Sequence, residues 1–316
     1  MNMQKVSFVL PAYKRRFLKE AIASILAQTY RNFELVVVDD CSPEGLKEIV
    51  DQFHDARLAY YRNEHNLGGK DLIAAWNKAM EYATGEYSVL ASDDDIYAPE
   101  YLEEMVRLAE KYPKVDVFHC REVVIKADGS WWIIAAPRAE YETGIEMLYH
   151  RGVLRLQQTM PDFMFRTAAL KAIGGFVWTQ KAWYSDDATW IRLSRDNGAV
   201  CSPRALFYWR ASGVNITTLC TDSIEKLQAH EVFREWVHGL IRESRPQNDV
   251  DAYLLKLADR EIDGTIDNLT RWVLNQTPFC LWVKTLCVSK LCCRFRLSCI
   301  KTRVMRLIRP RNWFKR

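Results

Sequence analysis

No stretch of this 316-residue sequence is long and apolar enough to cross a bilayer. The longest run without a charge, 272–283, has twelve residues and includes Asn275, Gln276 and Pro278. The nine cysteines show no Cys-x-x-Cys pairing, and five of them crowd at Cys280, Cys287, Cys292, Cys293 and Cys299 without companion histidines, which argues against a zinc site and a disulfide framework. The start, Met-Asn-Met-Gln-Lys, enters a strand pattern with no apolar leader, so the expected compartment is a reducing cytoplasm. The glycosylation sequons headed by Asn215, Asn268 and Asn275 carry no meaning there. Acidic residues are absent after Asp267, while residues 268–316 hold twelve Lys and Arg. The net charge of +4 is therefore a body at −8 joined to a tail at +12, which suggests an anionic surface as partner. No recognition motif accompanies that charge, which argues against nucleic acid.

What is present is ordinary globular composition, 49% hydrophobic and 27% charged, enough to build the core of a full enzyme. Apolar β-rich runs at 6–10, 33–38, 58–61, 87–90 and 115–118 alternate with amphipathic helical stretches at 17–28, 45–53, 71–83 and 99–111. That alternation predicts an α/β fold with a mostly parallel sheet and right-handed crossovers. Runs at 123–125 and 131–134 flank Asp128-Gly129, a hairpin turn; residues 143–215 mix short helices and strands, and 222–274 reads as helical with a break near Pro246.

The chemistry concentrates where strands end. Asp93, Asp94 and Asp95 follow the apolar run 87–90 and precede the helix opened by Pro99. Crowding three carboxylates costs stability unless a cation or hydrogen-bond donors compensate, and the strand-to-helix edge of an open α/β sheet is where ligands bind. Carboxylate oxygens with room for a phosphorylated substrate suit Mg²⁺ or Mn²⁺. The first strand ends in Pro11, Ala12 and Tyr13, which read either as a core strand closing in an ordinary proline turn or as a turn whose Tyr13 ring stacks on a nucleobase at that edge. The second ends in Asp39-Asp40-Cys41-Ser42, where a carboxylate either accepts from a base or ribose or caps the next helix.

The ordered series Pro11-Ala12-Tyr13, Asp39-Asp40-Cys41-Ser42, Asn66-Leu67-Gly68, Gly85-Glu86-Tyr87 and Ser92-Asp93-Asp94-Asp95 resembles the family 2 glycosyltransferases, inverting enzymes of the GT-A fold, over roughly 4–215. The resemblance implies that Tyr13 stacks on uracil, Asp40 binds its imide, Pro11 and Ala12 line that pocket with backbone, Asn66 belongs to the same nucleotide site, and Asp93 faces the ribose. Asp94, five residues before Pro99, stands at the position of the ligating carboxylate. Ser92 replaces the first aspartate of the fuller Asp-x-Asp form, and Asp95 would supply the missing charge. Trp76 stands where many relatives have Arg, which leaves Lys14, Arg15 or Lys70 for the diphosphate. Asp186, four residues before Trp190, aligns with the general base, with Asp187 as the neighbour to test second; the alternative is that both cap a helix over 188–195. Asp162-Phe163-Met164-Phe165-Arg166, followed by Leu170 and Ile173-Gly174-Gly175-Phe176, resembles the acceptor-side segment, and Tyr208-Trp209-Arg210-Ala211-Ser212 lies where relatives often show Arg with a following His, which is absent here.

The expected organisation is a catalytic domain over 1–218, with a nucleotide half (1–120) and an acceptor half (121–218), a helical extension over 219–275, and a basic amphipathic tail over 276–316. In the tail, Leu297, Ile300, Val304, Leu307 and Ile308 recur at helical spacing, so residues 279–316 would lie on an anionic membrane surface; the alternative is a helix packed on the catalytic domain with a solvated basic face. The expected activity is transfer of a sugar from a nucleotide-diphosphate donor, UDP-linked, to a lipid-linked saccharide of surface polysaccharide, at the inner face of the plasma membrane. The competing readings are a catalytically silent membrane adaptor of the same fold and a sugar-phosphate nucleotidyltransferase, which Lys14-Arg15-Arg16 without glycines disfavours.

Overall fold

The structure, a computed structural model, describes residues 4–213, 215 and 222–277. The tail expected to meet a membrane, 279–316, lies outside these residues. The chain divides into two compact units, Met1–Asn215 and Ile216–Arg316.

The first unit is built on one mixed sheet. Strands β1 (Val6–Ala12), β2 (Phe33–Asp39), β3 (Leu58–Arg62) and β4 (Tyr87–Leu90) pair in parallel in the order β3-β2-β1-β4, joined through helices α1 (Leu18–Leu26), α2 (Lys47–Val50) and α3 (Leu72–Met80). Period-two alternation explains the layering. Phe8 and Leu10 of β1 and Leu35 and Val37 of β2 join the core under α1. Their neighbours Val9, Val36 and Val38 join a second core on the other face, with Ile73 of α3. With both faces covered, these strands are apolar throughout.

The sheet continues past β4 with β5 (Ile96–Tyr97), β6 (Val117–Lys126), β9 (Phe163–Arg166) and β10 (Ala199–Ala211) in the order β4-β9-β6-β10-β5. β9 runs antiparallel between β4 and β6, so β4 and β6 point the same way. The expected runs 115–118 and 123–125 form a single strand, β6, whose end turns through Asp128-Gly129 into β7 (Trp131–Ile134). Gly129 has φ +82, which the turn requires and a side chain would resist. Helix α4 (Tyr101–Lys111) begins two residues after Pro99 because the two-residue β5 first pairs with β10. A short β8 (Tyr141–Glu142) also pairs with β10; helices α5 (Gly144–Met147), α6 (Thr167–Ala172) and α7 (Ser185–Ser194) complete this unit. Trp190 of α7 is fully buried, stacked on Phe163 with ring centres 4.5 Å apart.

In the second unit, α8 (Ser223–Glu243) and α9 (Asp249–Gln276) form a helical hairpin around the break near Pro246, with Asn248 capping α9. Leu227, Phe233 and Val237 are buried on α8, and Ala258, Ile262, Ile266 and Val273 on α9. The histidines serve the hairpin: His230 bonds Thr270 at 3.2 Å, and His238 bridges Asp259 and Asp263. No helix among the described residues is long and apolar enough to cross a membrane.

Candidate active site

The parallel strands deliver β1, β2, β4 and β6 to one edge, and the carboxyl ends of the first three carry the candidate nucleotide residues. Backbone there is spoken for. Ala12 O accepts from Asp40 N at 2.9 Å. One oxygen of Asp93, Oδ2, accepts from the backbone N–H of Tyr13 (2.8 Å) and Lys14 (2.7 Å), tying the end of β1 to the acidic loop. The Tyr13 ring remains exposed at the rim. Asp39 is the deeper of its pair, held by Tyr60, Arg62 and the N–H of Ser42. Asp40 accepts from Asn63 Nδ2 (2.8 Å), Leu67 N (2.9 Å) and Gly68 N (2.7 Å), so it organises the 63–68 loop while using three of its four lone-pair directions. A Cβ on Gly68 would stand 3.0 Å from Asp40 Oδ2, which explains the glycine. Asn66 Oδ1 closes that turn on Gly69 N at 2.6 Å.

The three adjacent aspartates point to three different environments. Asp94 keeps a little exposure at 7%, whereas Asp95 is 1% exposed and accepts from Arg210 N at 2.8 Å. Asp95 Oδ2 is buried without a hydrogen-bond partner of good geometry among the described residues. Burial raises the proton affinity of Asp94, which Lys14 and Arg210 partly offset; burial and then Asp94 push that of Asp95 well up. Arg210 is the keystone: its Nε donates to Asp94 O (2.8 Å), Nη1 to Ala127 O (3.2 Å) and Nη2 to Glu20 (2.7 Å), while its guanidinium covers the Phe17 ring at 4.3 Å. Asn215, read from sequence only as a sequon, reaches Asp94 Oδ2 at 3.5 Å.

Among the described residues no three His, Cys, Asp or Glu side chains converge as a ready-made cation site. The donor chemistry nonetheless fits a hard divalent cation that takes most of its oxygens from a substrate diphosphate: adjacent carboxyls crowded in a poorly solvated loop, one with an orphaned oxygen. Of the cations considered for the diphosphate, Arg15 is committed to Glu44, Gly45 and Glu48, whereas Lys14 lies close enough to stabilise the charge of both Asp93 and Asp94. Trp76 is a packing residue, edge-on to Phe176 at 5.8 Å.

The second acidic pair opens α7. Asp187 is 1% exposed and clamped between Arg151 Nη2 (2.5 Å) and Arg155 Nη1 (2.6 Å). Asp186 is the accessible member, its side chain 27% exposed and held by Arg151 Nη2 at 3.2 Å. Burial and the charge of Asp187 raise its proton affinity against the pull of Arg151 and Arg155. The N-cap residue of α7, Tyr184, makes no side-chain cap, and the Asp186 carboxylate takes a backbone hydrogen bond from Asp187 in the first turn. Arg151 sits in a π-helical turn, Leu148–Val153, a wide turn common at functional sites. Tyr184, which precedes the pair, has φ +67, and Arg155 has φ +54. Strain of this kind persists only where the surroundings impose it. Sequence pattern offered no signal for Arg151 or Arg155, because their partners lie more than thirty residues away. Glu122 of β6 links the two acidic groups electrostatically, since its charge raises Asp95 and Asp186 raises its own proton affinity.

The chain is 34% identical over 112 residues to the UDP-Glc:alpha-D-GlcNAc-diphosphoundecaprenol beta-1,3-glucosyltransferase WfgD of Escherichia coli, covering 35% of this chain and 43% of that protein. It spans about two fifths of the length of most of the curated relatives it matches. Among solved structures, TarS of S. aureus in complex with UDP-GlcNAc superimposes with a TM-score of 0.64 at 17% identity, over 95% of this chain and 87% of that one. The mannosyltransferase PcManGT of Pyrobaculum calidifontis, solved with GDP-Man and Mn2+, gives 0.55 at 16% identity over 96% and 81%. These likenesses establish the GT-A fold. The family model for glycosyl transferase family 2 matches residues 7–174, more than half of the sequence, and the chain belongs to that family.

Proposed function

We propose that this protein is an inverting glycosyltransferase that moves a sugar from a UDP-linked donor to a lipid-linked saccharide in surface polysaccharide synthesis, working at the inner face of the plasma membrane. The observation that carries the reading is the pairing, within one unit, of an accessible Arg-held carboxylate, Asp186, with a crowded acidic loop beside Lys14. The relative WfgD, which by its name acts on a diphosphoundecaprenol-linked sugar, supports the choice of acceptor class.

On this reading Tyr13 stacks on the base, Asp40 turns its remaining lone pair to the imide, and Pro11, Ala12, Asn66 and Asp93 shape the nucleoside pocket. Asp94, with Asp95 behind it, would hold Mn²⁺ or Mg²⁺ against the diphosphate; when bound, the cation supplies charge relief to the departing oxygens. Lys14 adds a second positive contact. Asp186 accepts the proton of the attacking hydroxyl as its oxygen bonds to the anomeric carbon and the carbon–phosphate-oxygen bond breaks, the electron pair leaving with the diphosphate. A raised proton affinity makes Asp186 a stronger base than an ordinary carboxylate, and Arg151 keeps it oriented. Attack from the face opposite the diphosphate inverts the anomeric centre. Asp187, locked by two arginines, serves as the buried anchor of that arrangement.

The test is calorimetric titration with UDP, GDP and CMP, with and without Mn²⁺, on the wild type and Asp94→Asn. Metal-dependent UDP binding that the variant loses is the expected outcome. Tight GDP binding would redirect the donor class, and no nucleotide binding at all would favour the silent adaptor.

A further inference from the structure

Trp178 is the most exposed large apolar side chain of the first unit among the described residues, at 65%, yet it is held in place. Its indole Nε1 donates to Asp71 Oδ2 at 3.0 Å, and Asp71 is the residue that caps α3 at the end of the nucleotide-side loop. Its neighbour Val177 is bonded on both backbone groups to the start of α7: Val177 N donates to Thr189 Oγ1 (3.0 Å), and Val177 O accepts from Ser185 Oγ (2.7 Å). Ser185 adjoins Asp186. The loop begins at Gly174 and Gly175, with φ +85 and +94, and Phe176 N is tied to Asn77 Oδ1 at 2.9 Å. A Cβ on Gly175 would lie 2.4 Å from that same Asn77 oxygen. The loop ends in further left-handed residues, Lys181, Ala182 and Tyr184. Ordering a Trp and straining its loop both cost free energy, and nothing is gained in core burial from an indole left in solvent.

We infer that Trp178 is the platform of an acceptor-sugar subsite, taking the apolar face of a pyranose ring. The inference rests on the transferase reading above and adds to it where the acceptor lies. The indole is bonded to Asp71 on the nucleotide side, and the backbone of the adjoining Val177 is bonded to the helix that carries Asp186. A ring seated on it therefore lies between the donor loop and the base, where a hydroxyl must be for its proton to reach Asp186. The electron-rich indole face suits the C–H groups of a pyranose, and a face fixed in advance spares the ligand most of the ordering cost.

The experiment labels the full-length protein with 5-fluorotryptophan and follows the ¹⁹F resonance assigned to Trp178 by its loss in Trp178→Phe. Methyl glycosides of glucose, galactose, mannose and N-acetylglucosamine are titrated in the presence of UDP and Mn²⁺. At least one glycoside should move that resonance saturably. Its affinity, read on the other perturbed signals, should fall fivefold or more in Trp178→Ala and stay within about twofold in Trp178→Phe, which retains a stacking face. UDP affinity by calorimetry should stay within about twofold in both variants. If no glycoside moves the resonance, or if Ala and Phe behave alike, the subsite is refuted. A loss of UDP affinity in Trp178→Ala also refutes it by assigning the residue to the donor site. Absence of UDP binding in the wild type would instead strike the transferase reading itself.

Discussion

Replacing Arg151 with Met tests the acidic pair most directly. Arg151 is 3% exposed, and one nitrogen serves both Asp187 at 2.5 Å and Asp186 at 3.2 Å while Nη1 donates to Gln158 O at 3.0 Å. Breaking a buried ion pair by removing one partner costs about 3–5 kcal/mol. Because Arg155 remains on Asp187 and Met refills much of the volume, the low end applies, about 3 kcal/mol, or roughly 6–12 °C in Tm for a unit of this size. Asp186 supplies a second, pH-dependent effect. Its folded-state proton affinity is already raised by burial, then by Asp187, with Arg151 among the groups that oppose the rise. A carboxyl raised in the folded state contributes stability that is present below its unfolded pKa, about 3.9, and lost as pH rises through the folded value. Removing Arg151 lifts that value further, so the Tm deficit of the variant should be larger at neutral pH than near pH 4. In donor turnover the acidic limb of the kcat profile should move to higher pH, and kcat should fall about 10–100-fold as Asp186, the proposed base, loses its orientation. Arg151→Lys should restore part of the Tm and return the limb toward wild type. A Tm deficit independent of pH, with the limb unmoved, would show that Arg151 merely fills space.

Two further outcomes follow from the core. Burial depresses the pKa of His119 to about 3, so below about pH 6.5 the unfolded chain binds a proton that the folded one refuses. Stability should fall by up to about 1.4 kcal/mol per pH unit from there toward pH 3, and His119→Asn should flatten that slope in urea titrations repeated across the range. Trp190→Ala should cost about 3–5 kcal/mol, but Trp190→Phe much less, because the buried indole N–H meets no acceptor among the described residues. Equal losses in the two variants would show that the N–H matters after all.

The sequence by itself determined the β-α alternation, because a strand buried on both faces must be apolar throughout and its return helix must carry one apolar stripe. It also determined where the carboxylates cluster, since a run of acidic residues tolerates only a solvated or compensated edge. β9 and β10 were not legible as sheet partners. Their partners all lie more than forty residues away along the chain, and β9 enters antiparallel between parallel neighbours, a choice made by packing Phe163 and Phe165 against Trp190. Only the tertiary structure decided how Asp93, Asp94 and Asp95 divide. Neighbours in sequence share composition, but Asp93 turns to the Tyr13 and Lys14 amides, Asp94 keeps contact with the edge, and Asp95 is drawn inward by the Arg210 amide. The same holds for Asp186 and Asp187. Two adjacent aspartates look alike in sequence; arginines more than thirty residues away bury one and leave the other accessible, because electrostatic environment depends on distance in space and not along the chain.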